Sequence, residues 1–192
     1  MTEKLTLTCG IYEGETLNGE SSGRKIPHGK GKLTWQGETD LDGVIRIYEG
    51  DFVEGKMQGK GKLTIDGSKC TAKQESDEYP GDDVYEGDFA DDKRHGKGKM
   101  TWNMGDIYEG DWKDGKRHGK GKVIWADGGI YEGDFVDGKI TGKGKETWNG
   151  IIYEGDFVDS IYHGKGKRAW PDGFVKEGEW KNGEFLGDFE KE

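Results

Sequence analysis

Four histidines, His28, His95, His118 and His163, stand at one equivalent place in a recurring segment. Seven acidic pairs accompany them: Glu13/Glu15, Glu49/Asp51, Glu86/Asp88, Glu109/Asp111, Glu132/Asp134, Glu154/Asp156 and Glu177/Glu179. Histidines could ligate a metal, and paired carboxylates could do acid–base work. The spacing argues against both. Equivalent positions in successive β-hairpins lie two strands, or roughly 10 Å, apart, whereas histidines sharing a zinc hold their nitrogens about 2 Å from it. A catalytic carboxyl pair needs surroundings that drive its two pKa values apart, and seven equivalent copies are the opposite. No Ser/His/Asp arrangement, P-loop or metal-spaced cluster stands apart from the repetition. The expectation is therefore no catalytic residue, no metal and no cofactor, with the histidines stabilising turns.

The elements that carry these residues follow from the period. A Tyr-Glu-Gly tripeptide opens units at Tyr12, Tyr48, Tyr85, Tyr108, Tyr131 and Tyr153, and a degenerate copy starts at Lys176. The starts lie 36, 37, 23, 23, 22 and 23 residues apart, so the basic period is 23 and the first two units carry insertions, near 18–26, 36–45 and 68–84. A period this short predicts one repeat array over residues 1–192. In the unit 107–129, Asp114-Gly115 and Asp127-Gly128 separate short alternating segments, and Asp-Gly suits tight hairpin turns. Each unit then reads as a β-hairpin, and the chain as all-β: a single-layer antiparallel sheet of about seven stacked hairpins. Residues 3–9 and 184–189 read as an added first strand and a truncated last one.

Alternation divides each hairpin into two faces. Tyr108, Gly110 and Trp112 share one face with Gly119, Gly121, Val123 and Trp125, while Glu109, Asp111, Lys120 and Lys122 take the other. Glycine between the aromatics leaves room for rings to lie against the backbone. Lysine pairs such as Lys30/Lys32, Lys60/Lys62 and Lys143/Lys145 answer the acidic pairs on neighbouring strands, which sets register in glycine-rich strands that specify it poorly.

Composition agrees with a thin but ordered structure. Only 30% of the 192 residues are hydrophobic, 35% are charged and 36 are glycine, yet seven Trp, eight Tyr and seven Phe are far more than a disordered chain carries. Cys9 and Cys70 share no motif, which points to a reducing compartment. No run approaches the roughly 20 apolar residues of a membrane span, and the first residues lack the apolar core of a signal peptide. A cytoplasmic location is expected.

The unit Tyr-Glu-Gly-Asp-Trp-x-Asp-Gly-x-x-His-Gly-x-Gly resembles the MORN (membrane occupation and recognition nexus) repeat, most closely over residues 85–175 and with diverged copies from Ile11 to about Phe189. The resemblance implies an elongated, twisted, single-sheet stack of hairpins. It also implies a non-enzymatic scaffold or tether, in cytoskeletal or ciliary assemblies or between membranes. Thr16, Gln58, Ile65, Thr141, Leu186 and Lys176 depart from the usual residue.

Two surfaces are predicted. The first is an exposed aromatic groove of Tyr85, Phe89, Trp102, Tyr108, Trp112, Trp125, Tyr131, Phe135, Trp148 and Tyr153, gripping a helix or extended peptide of a partner protein, since large apolar patches mark interaction sites. The second is a basic edge of Lys93, Arg94, Lys116 and Arg117, which could touch anionic lipid headgroups at about 1 kcal/mol per cation. The net charge of −10 weakens this membrane reading and argues against nucleic acid. Open sheet ends offer a homodimer contact.

Overall fold

The computed structural model describes residues 2–19, 23–36, 44–66 and 82–189, and among them there are strands and turns but no helix. The predicted insertions near 36–45 and 68–84 therefore lie largely outside the described residues, as does Cys70, whereas that near 18–26 is described except for 20–22 and prolongs the paired ends of the strands Gly10–Asn18 and Lys25–Gln36. The chain forms two compact units, Met1–Met104 and Gly105–Glu192. The first contains β1 (Glu3–Leu7), β2 (Gly10–Asn18), β3 (Lys25–Gln36), β4 (Ile45–Val53), β5 (Lys56–Asp66), β6 (Asp83–Ala90) and β7 (Lys93–Thr101). The second contains β8 (Ile107–Lys113), β9 (Lys116–Ile124), β10 (Ile130–Val136), β11 (Lys139–Trp148), β12 (Ile151–Val158), β13 (Ile161–Ala169), β14 (Val175–Lys181) and β15 (Glu184–Asp188). Within each unit every strand pairs antiparallel with its neighbours in the chain. The added first strand and truncated last strand are β1 and β15.

The two turn signals make different turns. Asp114 (φ 49°) and Gly115 (φ 84°) both take positive φ, as the tight two-residue hairpin turn requires. At the second signal only Gly128 does (φ 90°). There Gly128 donates its N–H to the Trp125 carbonyl at 2.9 Å, and Asp127 Oδ1 accepts the Gly129 N–H at 3.0 Å. This is a longer loop with an Asx cap.

Each hairpin that opens on tyrosine is held by that ring. In the second unit Gly110 faces Gly121, and the Tyr108 ring lies across them so closely that a Cβ on Gly121 would stand 2.5 Å from a ring carbon. The hydroxyl passes beyond the glycines and donates to the Asp111 carbonyl at 2.8 Å. Tyr48, Tyr85, Tyr131 and Tyr153 repeat the bond to Asp51, Asp88, Asp134 and Asp156. Burial first, and the Asp111 charge second, push the Tyr108 phenol up to about 12, so it remains a donor. The next aromatic then stands edge-on against two tyrosines: Phe135 is 5.2 Å from Tyr108 and 5.3 Å from Tyr131, and Phe157 is 5.2 Å from both Tyr131 and Tyr153. In the first unit Phe52 and Phe89 do the same with Tyr12, Tyr48 and Tyr85. Such T-shaped pairs add about 0.5–1.5 kcal/mol each beyond burial.

The opposite face carries the charge ladder, and its aspartates are bidentate clamps. Asp88 Oδ2 accepts the backbone N–H of Lys97 in its own hairpin at 2.9 Å, while Oδ1 meets the ammonium of Lys60 on the preceding strand at 2.7 Å. Asp134 joins Lys143 N–H to Lys120, and Asp156 joins Lys165 N–H to Lys143. The N–H that is accepted follows a bulge whose glycine has positive φ, such as Gly96 (φ 57°). Partial burial alone would raise the Asp88 pKa, but the Lys60 ammonium and the Lys97 N–H outweigh it and hold the carboxyl below its usual value.

Two outcomes follow for urea denaturation. Gly121→Ala lowers the unfolding free energy by about 1–3 kcal/mol through overpacking, whereas Lys122→Ala at an exposed position stays within about 0.5 kcal/mol. Because the folded Asp88 pKa is depressed, its contribution is complete above the unfolded carboxyl pKa of about 3.9 and is lost as pH falls through the folded value. The urea midpoint therefore drops from about pH 5 downwards, and Asp88→Asn drops less steeply.

Candidate interaction surface

Most of the predicted groove is core. Tyr85, Phe89, Tyr108, Trp112, Tyr131, Phe135 and Tyr153 are none of them more than 4% exposed. The rings cover one another: each tyrosine roofs its glycines and each Phe or Trp roofs the tyrosines, so a single sheet buries its aromatics without a second layer. These seven cannot contact a partner. Trp102 and Trp125 are half-buried, Trp125 because its ring closes on Gly129 at the end of its turn. Trp148 alone of the ten is exposed, at 52%.

The basic edge also changes. Arg94 and Arg117 fold back over the core face. The Arg117 guanidinium lies 5.8 Å from the Tyr108 ring centre and 5.4 Å from that of Phe135, and donates to the Gly138 carbonyl at 2.8 Å. Arg94 sits 5.9 Å over Tyr85 with one N–H toward Met100 Sδ at 3.7 Å. Desolvation depresses the pKa of both, and neither projects from the edge. Cross-strand pairing explains why: Arg94 and Arg117 lie opposite Phe89 and Trp112, in the column that Met57, Ile140, Tyr162 and Phe185 occupy elsewhere. Lys93 and Lys116 remain exposed. Two of the four histidines, His28 and His118, point at the turn of the following hairpin. His28 Nδ1 accepts the Glu54 N–H at 3.5 Å, and His118 Nδ1 faces Asp137 at 4.0 Å. On the other edge Asp83, Asp106 and Asp172 cap turns by accepting the N–H groups of Asn103, Ala126 and Phe174.

The second unit holds a site that sequence reasoning missed. Beside each tyrosine the cross-strand partner is apolar at Leu33, Leu63, Met100 and Val123, but becomes Glu146 opposite Tyr131 and Arg168 opposite Tyr153. With Tyr162, Trp148, Asn149 and Ile151 these two line a cavity of about 160 Å³. Tyr162 stacks on Tyr153 at 3.7 Å and donates its hydroxyl to Glu146 Oε2. Burial, then that carboxylate, pushes the Tyr162 phenol far up, so the proton stays on the tyrosine. Arg168 is flanked by the rings of Trp170 at 4.9 Å and Tyr162 at 5.7 Å. Its Nε is buried without a hydrogen-bond partner. The available signal was the column itself, in which a carboxylate and a guanidinium replace aliphatic residues.

Stacked hairpins with a self-roofing aromatic face and a salt-linked polar face define a β-hairpin repeat protein. The MORN repeat family model matches residues 24–38, 48–68, 85–107, 108–130, 131–150, 153–175 and 177–187. The chain belongs to the MORN repeat family, a non-enzymatic family of protein- and membrane-interaction repeats. No curated protein matches it.

Because Arg117 occupies an apolar column, replacing it with the residue found at the equivalent Ile140 removes a desolvated charge. Arg117→Ile is expected to unfold at an equal or higher urea concentration than the parent. A lower midpoint would mean that the ring and carbonyl contacts of the guanidinium outweigh its desolvation.

Proposed function

We propose that this protein is a non-enzymatic scaffold that docks a helix or extended segment of a partner protein on the aromatic surface of its second unit. The observation that carries this is the exposure of large apolar side chains that adjoin one another. Trp148 is 52% and Phe174 54% exposed. They connect through Trp170, whose ring lies 5.2 Å from Phe174, and Arg168, which touches Trp170 and lines the same cavity as Trp148. Exposed aromatics with half-buried neighbours are where binding energy concentrates, and their cost in solvent is accepted where a partner covers them.

The lipid alternative has less support. Two of its four cations are committed to the aromatic face, and the chain carries a net charge of −10. The setting we propose is the cytoplasm, in an assembly of the cytoskeletal or ciliary kind that the family resemblance implies.

Affinity capture with the intact chain and a Trp148→Ala/Phe174→Ala variant, both confirmed folded by circular dichroism, tests this. Specific partners are expected to fall by tenfold or more in the variant, and an unchanged set of partners would refute the surface. Flotation with phosphatidylserine vesicles at low salt should leave the protein unbound. Binding that disappears in Lys93→Glu/Lys116→Glu would move the function to the membrane.

A further inference from the structure

The cavity beside Trp148 sets Glu146, Asn149 and Arg168 among the apolar surfaces of Trp148, Ile151 and Tyr162. Arg168 is the informative group. A guanidinium brings a full charge and five N–H donors, and aromatic rings satisfy the charge but accept none of those protons in a normal hydrogen bond. Among the described residues no carboxylate pairs with Arg168, and its Nε is buried without an acceptor. Glu146 lines the same cavity, but its Oε2 is taken by the Tyr162 hydroxyl.

We infer that this cavity receives one acidic side chain, a glutamate or aspartate, of the docked partner segment, with its carboxylate accepting from the Arg168 guanidinium and its methylenes packing against Trp148 and Ile151. This deepens the docking function proposed above and rests on it.

Size and charge choose the occupant. At about 160 Å³ the cavity is smaller than the roughly 300–1,000 Å³ of small-molecule sites and matches a single side chain. A carboxylate can take two parallel N–H bonds from a guanidinium. A phosphate dianion could do so too, but would bring a second negative charge against Glu146. An amide could accept one bond and would leave the charge uncompensated. Trp148 and Ile151 supply an apolar wall that suits the aliphatic part of glutamate.

The rings explain why the cation waits. Beside Trp170 and Tyr162 the planar guanidinium is oriented before a ligand arrives, so little ordering entropy remains to be lost on binding. Glu146 fixes Tyr162, which forms one side of this slot, and therefore positions Arg168 indirectly.

The test is a titration of the full ¹⁵N-labelled chain, followed by the Arg168 Nε–H and Trp148 indole N–H resonances. The probes are N-acetyl-glutamate N-methylamide, the corresponding glutamine compound and inorganic phosphate. The glutamate compound should give a saturable shift of both signals with a millimolar dissociation constant. The glutamine compound and phosphate should bind at least about tenfold more weakly, the loss of one charge-assisted bond. Arg168→Met, which installs the residue found at the equivalent Met100, should abolish the Trp148 shift, and Glu146→Gln should strengthen binding by removing a repulsive neighbour. Absence of saturation, equal response to glutamine, or a response to phosphate alone would overturn the assignment. So would a Trp148 shift that survives in Arg168→Met. Should that variant fail to fold, the comparison of glutamate with glutamine on the parent chain decides by itself. No partner protein is used, so failure here leaves the docking surface standing, and unchanged capture by the Trp148→Ala/Phe174→Ala variant is read separately.

Discussion

Everything in this protein depends on a tyrosine ring resting on two facing glycines. The contact leaves no room for a Cβ on the glycine across from Tyr108 or its equivalents. It carries the hydroxyl past the glycines to a carbonyl three residues on, satisfying a buried donor without a second layer of structure. It also presents the ring as a floor on which the next aromatic stands edge-on. A sheet ordinarily hides its apolar face under a helix or another sheet. Here the side chains lie down and become the cover.

This constraint separates positions that repeat from positions that are free to differ. The Tyr, Gly and Asp positions are fixed by contacts within the hairpin and across to its neighbours. The partner opposite each tyrosine and the second residue after each tight turn only have to fill space over the rings. Leu33, Leu63, Met100 and Val123 do so with hydrocarbon, while Arg94 and Arg117 do so with the flat face of a guanidinium. Variation is tolerated there, and at Glu146, Tyr162 and Arg168 it forms a cavity that holds a carboxylate and a guanidinium beside apolar side chains.

The hairpins, their antiparallel order, the salt ladder and the space-making glycines were all legible in the sequence, because period and alternation report strand geometry directly. Which aromatics were accessible was not. Alternation assigns Tyr108 and Trp112 to one face but is silent on whether a ring stands up from the sheet or lies on it, and only the second buries them. Arg117 was misread for a different reason: it sits beside Lys116 and His118 in a basic run, yet it shares parity with Gly119, Gly121 and Val123, which places it over the rings. The cavity of the second unit needed a comparison down the column, where Glu146 and Arg168 interrupt aliphatic residues. Along the strand each looks like one more charged residue in a charged chain.

The chain-order pairing within each unit has a consequence for how the molecule is made. Every strand's partners are the segments just before and just after it, so no contact waits for a distant part of the sequence to be synthesised. Contact order is low for an all-β protein, and the slow search that long-range strand pairing usually imposes is largely removed. A nascent hairpin can close on its own turn and lay its Phe against the tyrosine already in place. The template for each addition is the unit that left the ribosome before it, and assembly becomes growth from a seed, as in a one-dimensional crystal.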